Sequence, residues 1–279
     1  MKNTTLHTLK LLHAWQLPLK ERLTRWLIPT HTKKNSPFYT GVAYAQNGCL
    51  LNVDTTNYIE YKVFAEGGYE VYLSTLIKHY VKPHTVFLDI GANIGIHSLS
   101  VAKMPNTQIY SFEPIDFIRE KLQKNIALNN YANITIVPVA LSNENKVIKT
   151  NFSAQSSNQG TFSMQHQAEG DNEITCIIGD EYVAQNNINP ISVIKIDVEG
   201  FEFAVLTGLT QTILNQKPVI FFEYDFNYIS RGGNIATDYE NLFFNTLHYK
   251  LFIIEKYTLI PCLSLEDLDG MKEILALAN

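Results

Sequence analysis

The sequence predicts an α/β fold, in which helices cover both faces of a mostly parallel sheet. Apolar runs of strand length alternate with segments of helical spacing from about residue 69 to residue 246. The run 86–90 leads through a glycine-rich turn into a helical pattern, as at the nucleoside-cofactor crevice of such sheets. The 279 residues fit an N-terminal extension (1–65) and one large domain (66–279).

The extension is predicted to contain two short helices, a linker and a hairpin. Leu and Trp recur at roughly helical spacing over residues 6–28, where a proline interrupts them. Residues 29–40 are polar and contain proline, as linkers do. Because Asn47-Gly48 favours a type I′ turn, residues 42–53 are predicted to form a hairpin. The basic, amphipathic helices are compatible with peripheral membrane contact, although packing on the domain or on a second copy of the chain is commoner.

The remaining elements follow in a regular order. Helices are predicted over residues 69–80, 96–103, 116–129, 201–214 and 236–246. Strands are predicted over residues 85–90, 108–112, 133–139, 191–197 and 218–223, followed by an antiparallel pair at 250–256 and 258–263. Residues 151–172 are rich in Ser, Asn, Gln and Gly and lack periodicity, so we expect an exposed excursion there, with His166 as a solvated loop residue.

Composition and charge disfavour several classes of protein. The formal net charge of −5 argues against a nucleic-acid partner, which needs a basic surface. No apolar stretch approaches the roughly twenty residues of a transmembrane helix, and the first residues lead into no signal-peptide core. Cys49, Cys176 and Cys262 lie far apart, in no metal-ligand spacing. We therefore expect a cytoplasmic protein with reduced thiols.

The glycine turn indicates a particular cofactor. Asp89 lies near the end of the strand, and Gly91 and Gly95 flank the turn. A dinucleotide site needs glycine where Asn93 stands, so that the main chain can approach a pyrophosphate. A carboxylate before the turn and an amide within it suit a cofactor with a cationic amino-acid tail and no phosphate, such as S-adenosylmethionine. Glu113 ends the next strand about twenty residues later, where an acid binds ribose hydroxyls.

Charged residues also mark the strand predicted at 191–197. A buried parallel strand is normally almost wholly apolar, yet this one carries Lys195 and Asp197, and Glu199 follows. If the strand stays regular to its end, the three side chains point to one side. These charges lie near the carboxyl end of the strand, where α/β sheets bind ligands. A functional role is favoured over a structural ion pair of Lys195 and Asp197, because burying such a pair gains little net stability. Glu202 falls in the first turn of the next helix, where negative charge is favoured.

Taken together, these motifs resemble the FkbM family of S-adenosylmethionine-dependent methyltransferases. The resemblance covers roughly residues 66–225. The matching segments are Asp-Ile-Gly-Ala-Asn-Ile-Gly (89–95), Phe-Glu-Pro (112–114), Asn125 with Leu128-Asn129, Ala-Leu-Ser (140–142) and Lys-Ile-Asp-Val-Glu-Gly-Phe-Glu (195–202). It implies the class I methyltransferase fold, a Rossmann-like sheet of seven strands in the order 3-2-1-4-5-7-6 with the last strand antiparallel. It also implies O-methylation, commonly of sugars, polysaccharides or natural products.

The resemblance also implies which residues bind the cofactor. Glu113 would take the ribose, and Ser142 would lie beside the adenine. The methionine part would be surrounded by Asp89, Gly91, Asn93 and Gly95. Further cofactor-binding candidates in or beside the matching segments are Ala92, Ser98, Pro114 and Asn125. His97 stands where the family pattern is loose.

Asp197 is the preferred catalytic base, because it ends the fourth core strand near the expected methyl position. An alcohol acceptor must lose its proton as the C–O bond forms. Glu199 is the second candidate, and Lys195 would keep Asp197 ionised or bind a hydroxyl. Glu223, at the end of the next strand, would complete the pocket with Asp225. The oxygens of Asp197, Glu223 and Asp225 also suit Mg²⁺, although a site without metal is favoured.

Three interpretations stay open at this stage. The favoured one is O-methylation of a small-molecule or glycan acceptor. An N-methyltransferase acting on RNA or protein is disfavoured by the acidic charge and by the absence of an Asn/Asp-Pro-Pro-aromatic motif. A non-catalytic cofactor-binding subunit would keep residues 89–113 functional while Asp197 or Glu199 proved dispensable. The sequence leaves open the acceptor, a homo-oligomeric state, and whether Tyr69-Glu70 closes over the cofactor or begins a helix.

Overall fold

The computed structural model describes residues 39–45, 47–150, 172–226 and 233–279. The helices predicted over 6–28, His166 and nearly all of the 151–172 excursion lie outside these ranges, so their predicted roles stay predictions. Within the described ranges, no helix is long and apolar enough to cross a membrane.

Strands and helices alternate through most of the described chain. The strands are β1 (Thr40–Tyr44), β2 (Leu50–Asp54), β3 (Val86–Ile90), β4 (Gln108–Phe112), β5 (Ile134–Val137), β6 (Ala140–Ser142), β7 (Lys146–Thr150), β8 (Asn172–Ile178), β9 (Ile191–Ile196), β10 (Val219–Asp225), β11 (Tyr249–Glu255), β12 (Thr258–Cys262) and β13 (Met271–Ala278). The helices are α1 (Tyr58–Glu66), α2 (Val71–Tyr80), α3 (Ile96–Ala102), α4 (Asp116–Asn129), α5 (Gly179–Gln185), α6 (Glu202–Gly208), α7 (Thr210–Gln216) and α8 (Ala236–Glu240), which continues into a π-helical segment, Asn241–Leu247.

The main sheet confirms the predicted class I methyltransferase topology. Its strand order among the described residues is β12-β11-β13-β10-β9-β3-β4-β5. The five strands from β5 to β10 are parallel, and β13 is antiparallel to both of its neighbours. If β12 is left out and the seven other strands are renumbered in chain order, the order read from β5 to β11 is 3-2-1-4-5-7-6. The prediction of seven strands was one short, because β12 pairs with β11 and extends the edge of the sheet.

Other differences from the prediction follow from tertiary pairing. β13 was not predicted, and it is the strand that lies between β10 and β11. β6, β7 and β8 form a small second sheet, and neither these three strands nor the following α5 was predicted. The helix predicted over 201–214 is two helices that meet at Leu209. In the hairpin, Tyr44 pairs with Leu50, so the loop is longer than the predicted two-residue turn.

Apolar side chains cover both faces of the main sheet. One face packs Ile194 and Phe222 against α6, α7 and the helix that begins with α8. The other face packs Phe87 and Phe221 against α2 and α3. A third cluster joins the hairpin and α1 to α3 and α4. The hairpin therefore shares a core with the rest of the described chain, and the division at residue 65 stays a prediction.

The parallel strands place polar residues at one edge of the sheet. Every residue of β3 is buried, including Asp89 near its carboxyl end. Asp89 lies directly between Ser111 on β4 and Lys195 on β9 in the strand register. Since parallel strands end on the same side, the groups that follow β3, β4, β9 and β10 meet at this edge.

Candidate active site

The glycine turn after β3 depends on close approach of main chain. Gly91 has φ of +78°, and a β-carbon there would lie 1.8 Å from the carbonyl oxygen of Asp197. Gly95 has φ of +92°, and its β-carbon would lie 2.4 Å from Leu122. Asn93, between them, is also left-handed, with φ of +51°. The two glycines thus allow the turn to pass against β9 and α4, where a larger residue would clash.

Asp89 fixes the start of α3 and keeps one oxygen unsatisfied. Its Oδ2 accepts a hydrogen bond from Ser98 Oγ at 2.5 Å, and Ser98 Oγ lies 2.7 Å from Ser111 Oγ. Its Oδ1 is buried and has no hydrogen-bond partner among the described residues. A buried carboxylate oxygen of this kind can be satisfied by the ammonium of an amino-acid tail, so the residues fit the predicted cofactor.

Glu113 joins the end of β4 to the glycine turn. Its Oε2 accepts from the N–H of Asn93 and its Oε1 from the N–H of Ile115, both at 3.0 Å. Burial raises the pKa of Glu113 to about 7, although these main-chain donors favour the ionised form. The main-chain N–H groups of Gly91 and Ala92 both donate to the carbonyl of Phe112. The structure thus brings the predicted methionine and ribose groups together at the carboxyl edge of the sheet.

The other predicted cofactor residues lie around this turn. Asn125 is fully buried, and its Nδ2 donates to the Ile94 carbonyl at 2.9 Å, so it supports the turn from α4. Ser142 ends β6 and is also buried, with its carbonyl packed so closely that a β-carbon on Gly208 would lie 1.9 Å away. The Pro114 carbonyl accepts from Arg119 at 2.9 Å. Their roles toward the cofactor stay predictions.

Lys195 links the cofactor turn to the candidate base. Its Nζ lies 3.1 Å from Asp197 Oδ2 and 3.7 Å from Asp89 Oδ1, and it donates to the Gly91 carbonyl at 3.0 Å. Burial disfavours the protonated amine of Lys195. The negative charges of Asp197 and Asp89 outweigh this effect and raise the pKa of the amine. Burial would likewise raise the pKa of Asp197, but Lys195 outweighs it and lowers that pKa. The Asp197 side chain is 37% exposed, so an ionised carboxylate faces the crevice.

The main chain after β9 takes an unusual path at Glu199. Glu199 has φ of +54°, in the left-handed region that residues other than glycine rarely adopt. Glu202 Oε1 holds this turn by accepting from the N–H groups of Val198 and Gly200, at 3.0 and 3.1 Å. Burial and then the charges of Asp197 and Glu202 raise the pKa of Glu199 to about 8. A backbone held in such a conformation beside charged groups is typical of functional sites.

Two carboxyl groups on neighbouring strands complete the acidic side of the crevice. Glu223, on β10, is buried and hydrogen-bonded to Asp197, and burial together with the charges of Asp197 and Glu199 raises its pKa well above the ordinary range. Glu273, on β13, lies directly across from Glu223, and its pKa is raised by burial and by Glu70. Glu273 was not predicted as a site residue because β13 was not predicted as a strand.

Polar contacts between the start of α2 and α3 line the side of the crevice opposite these carboxyl groups. Glu70 Oε2 lies 3.4 Å from His97 Nε2, and His97 Nδ1 lies 2.9 Å from Ser74 Oγ. The side chain of Tyr69 is hydrogen-bonded to Glu70. Glu70 is the residue before α2, with φ of +48°, so Tyr69-Glu70 lies at the start of the helix, and its closure over the cofactor stays a prediction. No sequence motif identified His97, which is buried in the first turn of α3.

The acidic residues of the crevice do not form a metal site in the described part of the chain. That part contains no group of three or more His, Cys, Asp or Glu side chains placed to hold a metal ion. Asp225, predicted to join Asp197 and Glu223, ends β10. The three cysteines are free and buried.

Sequence comparisons match the same region. A family model described as the methyltransferase FkbM domain matches residues 89–254, more than half of the chain. Hexuronic acid methyltransferase AglP of Haloferax volcanii is 32% identical over 137 residues, which make up 48% of this chain and 54% of that protein. AMB antimetabolite synthetase AmbE of Pseudomonas aeruginosa is 38% identical over 77 residues, 27% of this chain and 3% of that protein. The chain thus matches about half of the first relative and a small part of the second.

Solved methyltransferase structures are also similar to this chain. Methyltransferase FkbM from Methylobacillus flagellatus is 13% identical, with a TM-score of 0.45 over 78% of this chain and 52% of that one. SMU.1697c of Streptococcus mutans, solved in complex with SAH, is 9% identical, with a TM-score of 0.45 over 74% of this chain and 96% of that one. The family model begins at Asp89 and includes the glycine turn, Glu113, Asp197 and Glu223. The chain therefore belongs to the FkbM family of S-adenosylmethionine-dependent methyltransferases.

Proposed function

We propose that this methyltransferase transfers a methyl group to a hydroxyl of a sugar or glycan. The observation that supports this most is the placement of Asp197, a partly exposed carboxylate that Lys195 keeps ionised beside the glycine turn. Transfer to an alcohol requires a group that accepts the hydroxyl proton, and a carboxylate in this position is suited to do so. The similarity to a relative named for its action on hexuronic acid favours a sugar acceptor.

The cofactor would be held by residues of the turn and of β4. Asp89 Oδ1 would receive the ammonium of the amino-acid tail, and Glu113 would accept hydrogen bonds from the ribose hydroxyls. Ser142 would lie beside the adenine, as the family resemblance implies. S-adenosylmethionine, when bound, supplies a methyl group already activated on a sulfonium. The protein then has to align the acceptor oxygen and exclude water, and such positioning can lower a barrier by about 7–11 kcal/mol.

Asp197 would both orient and deprotonate the acceptor. Lys195 lowers its pKa, so Asp197 is ionised at neutral pH and accepts a hydrogen bond from the acceptor hydroxyl. Glu223, whose raised pKa keeps it protonated, donates a hydrogen bond to Asp197 and fixes its direction. Burial and neighbouring charges raise the pKa of Glu199 to about 8, so Glu199 is mostly protonated at neutral pH and becomes a second proton acceptor only at alkaline pH. General-base catalysis of this kind typically contributes about 10²–10⁴-fold.

The first test is calorimetric titration with S-adenosylhomocysteine, with NAD as a control and with Mg²⁺ present or removed by a chelator. We expect micromolar binding of S-adenosylhomocysteine, none of NAD, and no dependence on Mg²⁺. If S-adenosylhomocysteine does not bind under either condition, the chain does not act as a methyltransferase on its own and the proposal fails.

The second test separates chemistry from binding. Asp197→Asn is expected to bind S-adenosylhomocysteine like the wild type and to lose about 10²-fold or more in turnover on a hydroxylated sugar. Asp269→Asn is the matched control, because Asp269 is a fully exposed carboxylate on a loop. Normal turnover by Asp197→Asn would show that Asp197 is not the base. Methylation found only at nitrogen would contradict the proposed acceptor class.

A further inference from the structure

A cavity of about 180 Å³ lies beside the active site, between the hairpin loop, the end of α1, α2 and α3. It is smaller than the roughly 300–1,000 Å³ of drug-sized pockets, so it suits one small unit of a ligand. Its polar and aromatic lining consists of Asn47, Tyr69, Ser74, Thr75, Lys78 and Ser100. None of these residues was assigned a role by the sequence motifs of the cofactor site.

One end of the cavity borders the acidic side of the crevice. Tyr69 lines the cavity and is hydrogen-bonded to Glu70. Burial raises the pKa of Tyr69, and the charges of Glu70, Asp197 and Glu223 raise it further, which places this phenol close to the candidate base. Tyr69 therefore forms the part of the cavity wall that lies toward the candidate base.

The other end of the cavity is cationic. Lys78 lines it, and within the described ranges no carboxylate forms an ion pair with this amine. Lys103 Nζ donates to the Asn47 carbonyl at 2.6 Å, at the rim of the same cavity. Burial raises the pKa of the nearby Cys49 thiol, and the positive charges of Lys103 and Lys78 act against that rise.

A buried hydroxyl in the same wall also has no partner. Ser100 is 1% exposed, and its Oγ makes no hydrogen bond to any described residue. Leaving a buried hydroxyl unsatisfied costs about 1–3 kcal/mol, so a polar ligand group beside it is favourable. A cation without an ion-pair partner and an unsatisfied hydroxyl in one small cavity fit a ligand that carries both a negative charge and hydroxyl groups.

We propose that this cavity binds the carboxylate-bearing unit of an acidic sugar acceptor, with its carboxylate beside Lys78. The proposal rests on the proposed function and adds the class of sugar and its orientation. The carboxylate of Asp197 repels an acidic group at the methyl-transfer centre, whereas Lys78 attracts it at the far end. An acidic acceptor therefore binds in one direction, with a hydroxyl directed past Tyr69 toward Asp197.

The test compares D-glucuronate with D-glucose, which has the same ring and no charge. Binding to the full chain is measured by NMR titration in the presence of S-adenosylhomocysteine. We expect the wild type to bind glucuronate at least about tenfold more tightly, which corresponds to about 1.4 kcal/mol. Lys78→Met should remove this preference, and Ser100→Ala should weaken binding of glucuronate. Lys82→Met is the control, because Lys82 is exposed and lies outside the cavity.

Affinity for S-adenosylhomocysteine and the melting temperature are measured for every variant, so that a folding defect is recognised. Equal binding of the two sugars by the wild type, or an unchanged preference in Lys78→Met, would overturn the proposal. Sulfate is the third probe, and binding of sulfate without either sugar would show an adventitious anion site only. Failure of the proposed function would give a different result from failure of this proposal. In that case glucuronate would still bind with the preference that depends on Lys78, but no hydroxyl of any acceptor would be methylated.

Discussion

Asn125 accepts a hydrogen bond from the main-chain N–H of Asn52 at 2.8 Å, which fixes α4 to the second strand of the hairpin. The amide nitrogen of the same side chain donates to the carbonyl of Ile94, inside the glycine turn. Asn125 is fully buried, so no solvent replaces these bonds. One side chain thus connects the N-terminal hairpin to the turn that would hold the cofactor.

We predict that Asn125→Ala lowers both stability and cofactor affinity. The change leaves the buried carbonyl of Ile94 without this partner, at a cost of about 1–3 kcal/mol, and removes the acceptor of the half-buried N–H of Asn52. Asn129→Ala is the matched control, because Asn129 bonds both main-chain groups of Leu50 but makes no bond to the turn. Denaturant unfolding and titration with S-adenosylhomocysteine check both variants. Unchanged affinity in Asn125→Ala would contradict a role of Asn125 in holding the turn.

Gly91→Ala is expected to prevent formation of the cofactor turn. Its β-carbon would lie 1.8 Å from the Asp197 carbonyl oxygen, so both β9 and the turn would have to move. Gly270→Ala is the control for backbone strain, because Gly270 also has positive φ, of +62°, but nothing lies within 4 Å of the added carbon. Gly270→Ala should cost only about 1–2 kcal/mol and leave binding of S-adenosylhomocysteine unchanged. Wild-type binding by Gly91→Ala would show that the turn is more adaptable than this packing indicates.

Local patterns were sufficient to predict the central part of the fold. The run 86–90, its glycine turn and the following helix were identified because periodicity and turn residues agree there. β13 was missed because its sequence, Met-Lys-Glu-Ile-Leu-Ala-Leu-Ala, is rich in residues that favour helices. Its buried residues, Ile274 to Ala276, find partners only between β10 and β11, which is a tertiary effect that no local pattern contains.

The site was predictable where its residues share one strand and not where they come from separate elements. The contact between Lys195 and Asp197 was correctly inferred from their position near the end of a strand. The expectation that Glu199 would continue the same alternation was not met, because β9 ends at Ile196 and Glu199 is left-handed. The contact of Glu70 with His97 joins the start of α2 to α3, and its geometry depends on how these helices pack.

Cofactor affinity is expected to depend on pH through Glu113. Its pKa in the folded protein is about 7, raised by burial from the ordinary value of 4.5. Because the folded pKa is the higher one, the stability that Glu113 contributes is fully present below pH 4.5 and is lost as the pH rises through 7. The ionised form accepts the ribose hydroxyls, so affinity for S-adenosylhomocysteine should rise over the same window.

Glu113→Gln should remove both pH dependences, since an amide does not titrate in this range. Thermal unfolding and titration with S-adenosylhomocysteine at about pH 5, 6, 7 and 8 measure the two effects. Wild-type affinity that stays constant over this range would contradict the assignment of the ribose to Glu113.

Glu223 is expected to act as a protonated carboxyl group and not as a base. Burial, together with the charges of Asp197 and Glu199, raises its pKa, so at neutral pH it donates a hydrogen bond to Asp197. Glutamine keeps a donor of nearly the same shape, so Glu223→Gln should retain most of the wild-type turnover. Glu223→Ala removes the donor, and loss of a hydrogen bond to a charged group costs about 1.5–3 kcal/mol, or about 10–100-fold in rate.

Turnover at saturating S-adenosylmethionine, measured for both variants, distinguishes the two roles of Glu223. An equal and large loss in Glu223→Gln and Glu223→Ala would mean that the ionised form is needed, and Glu223 would then compete with Asp197 as the base. Retained turnover in the glutamine variant alone would leave Asp197 as the proton acceptor, because a neutral amide at residue 223 cannot accept the hydroxyl proton.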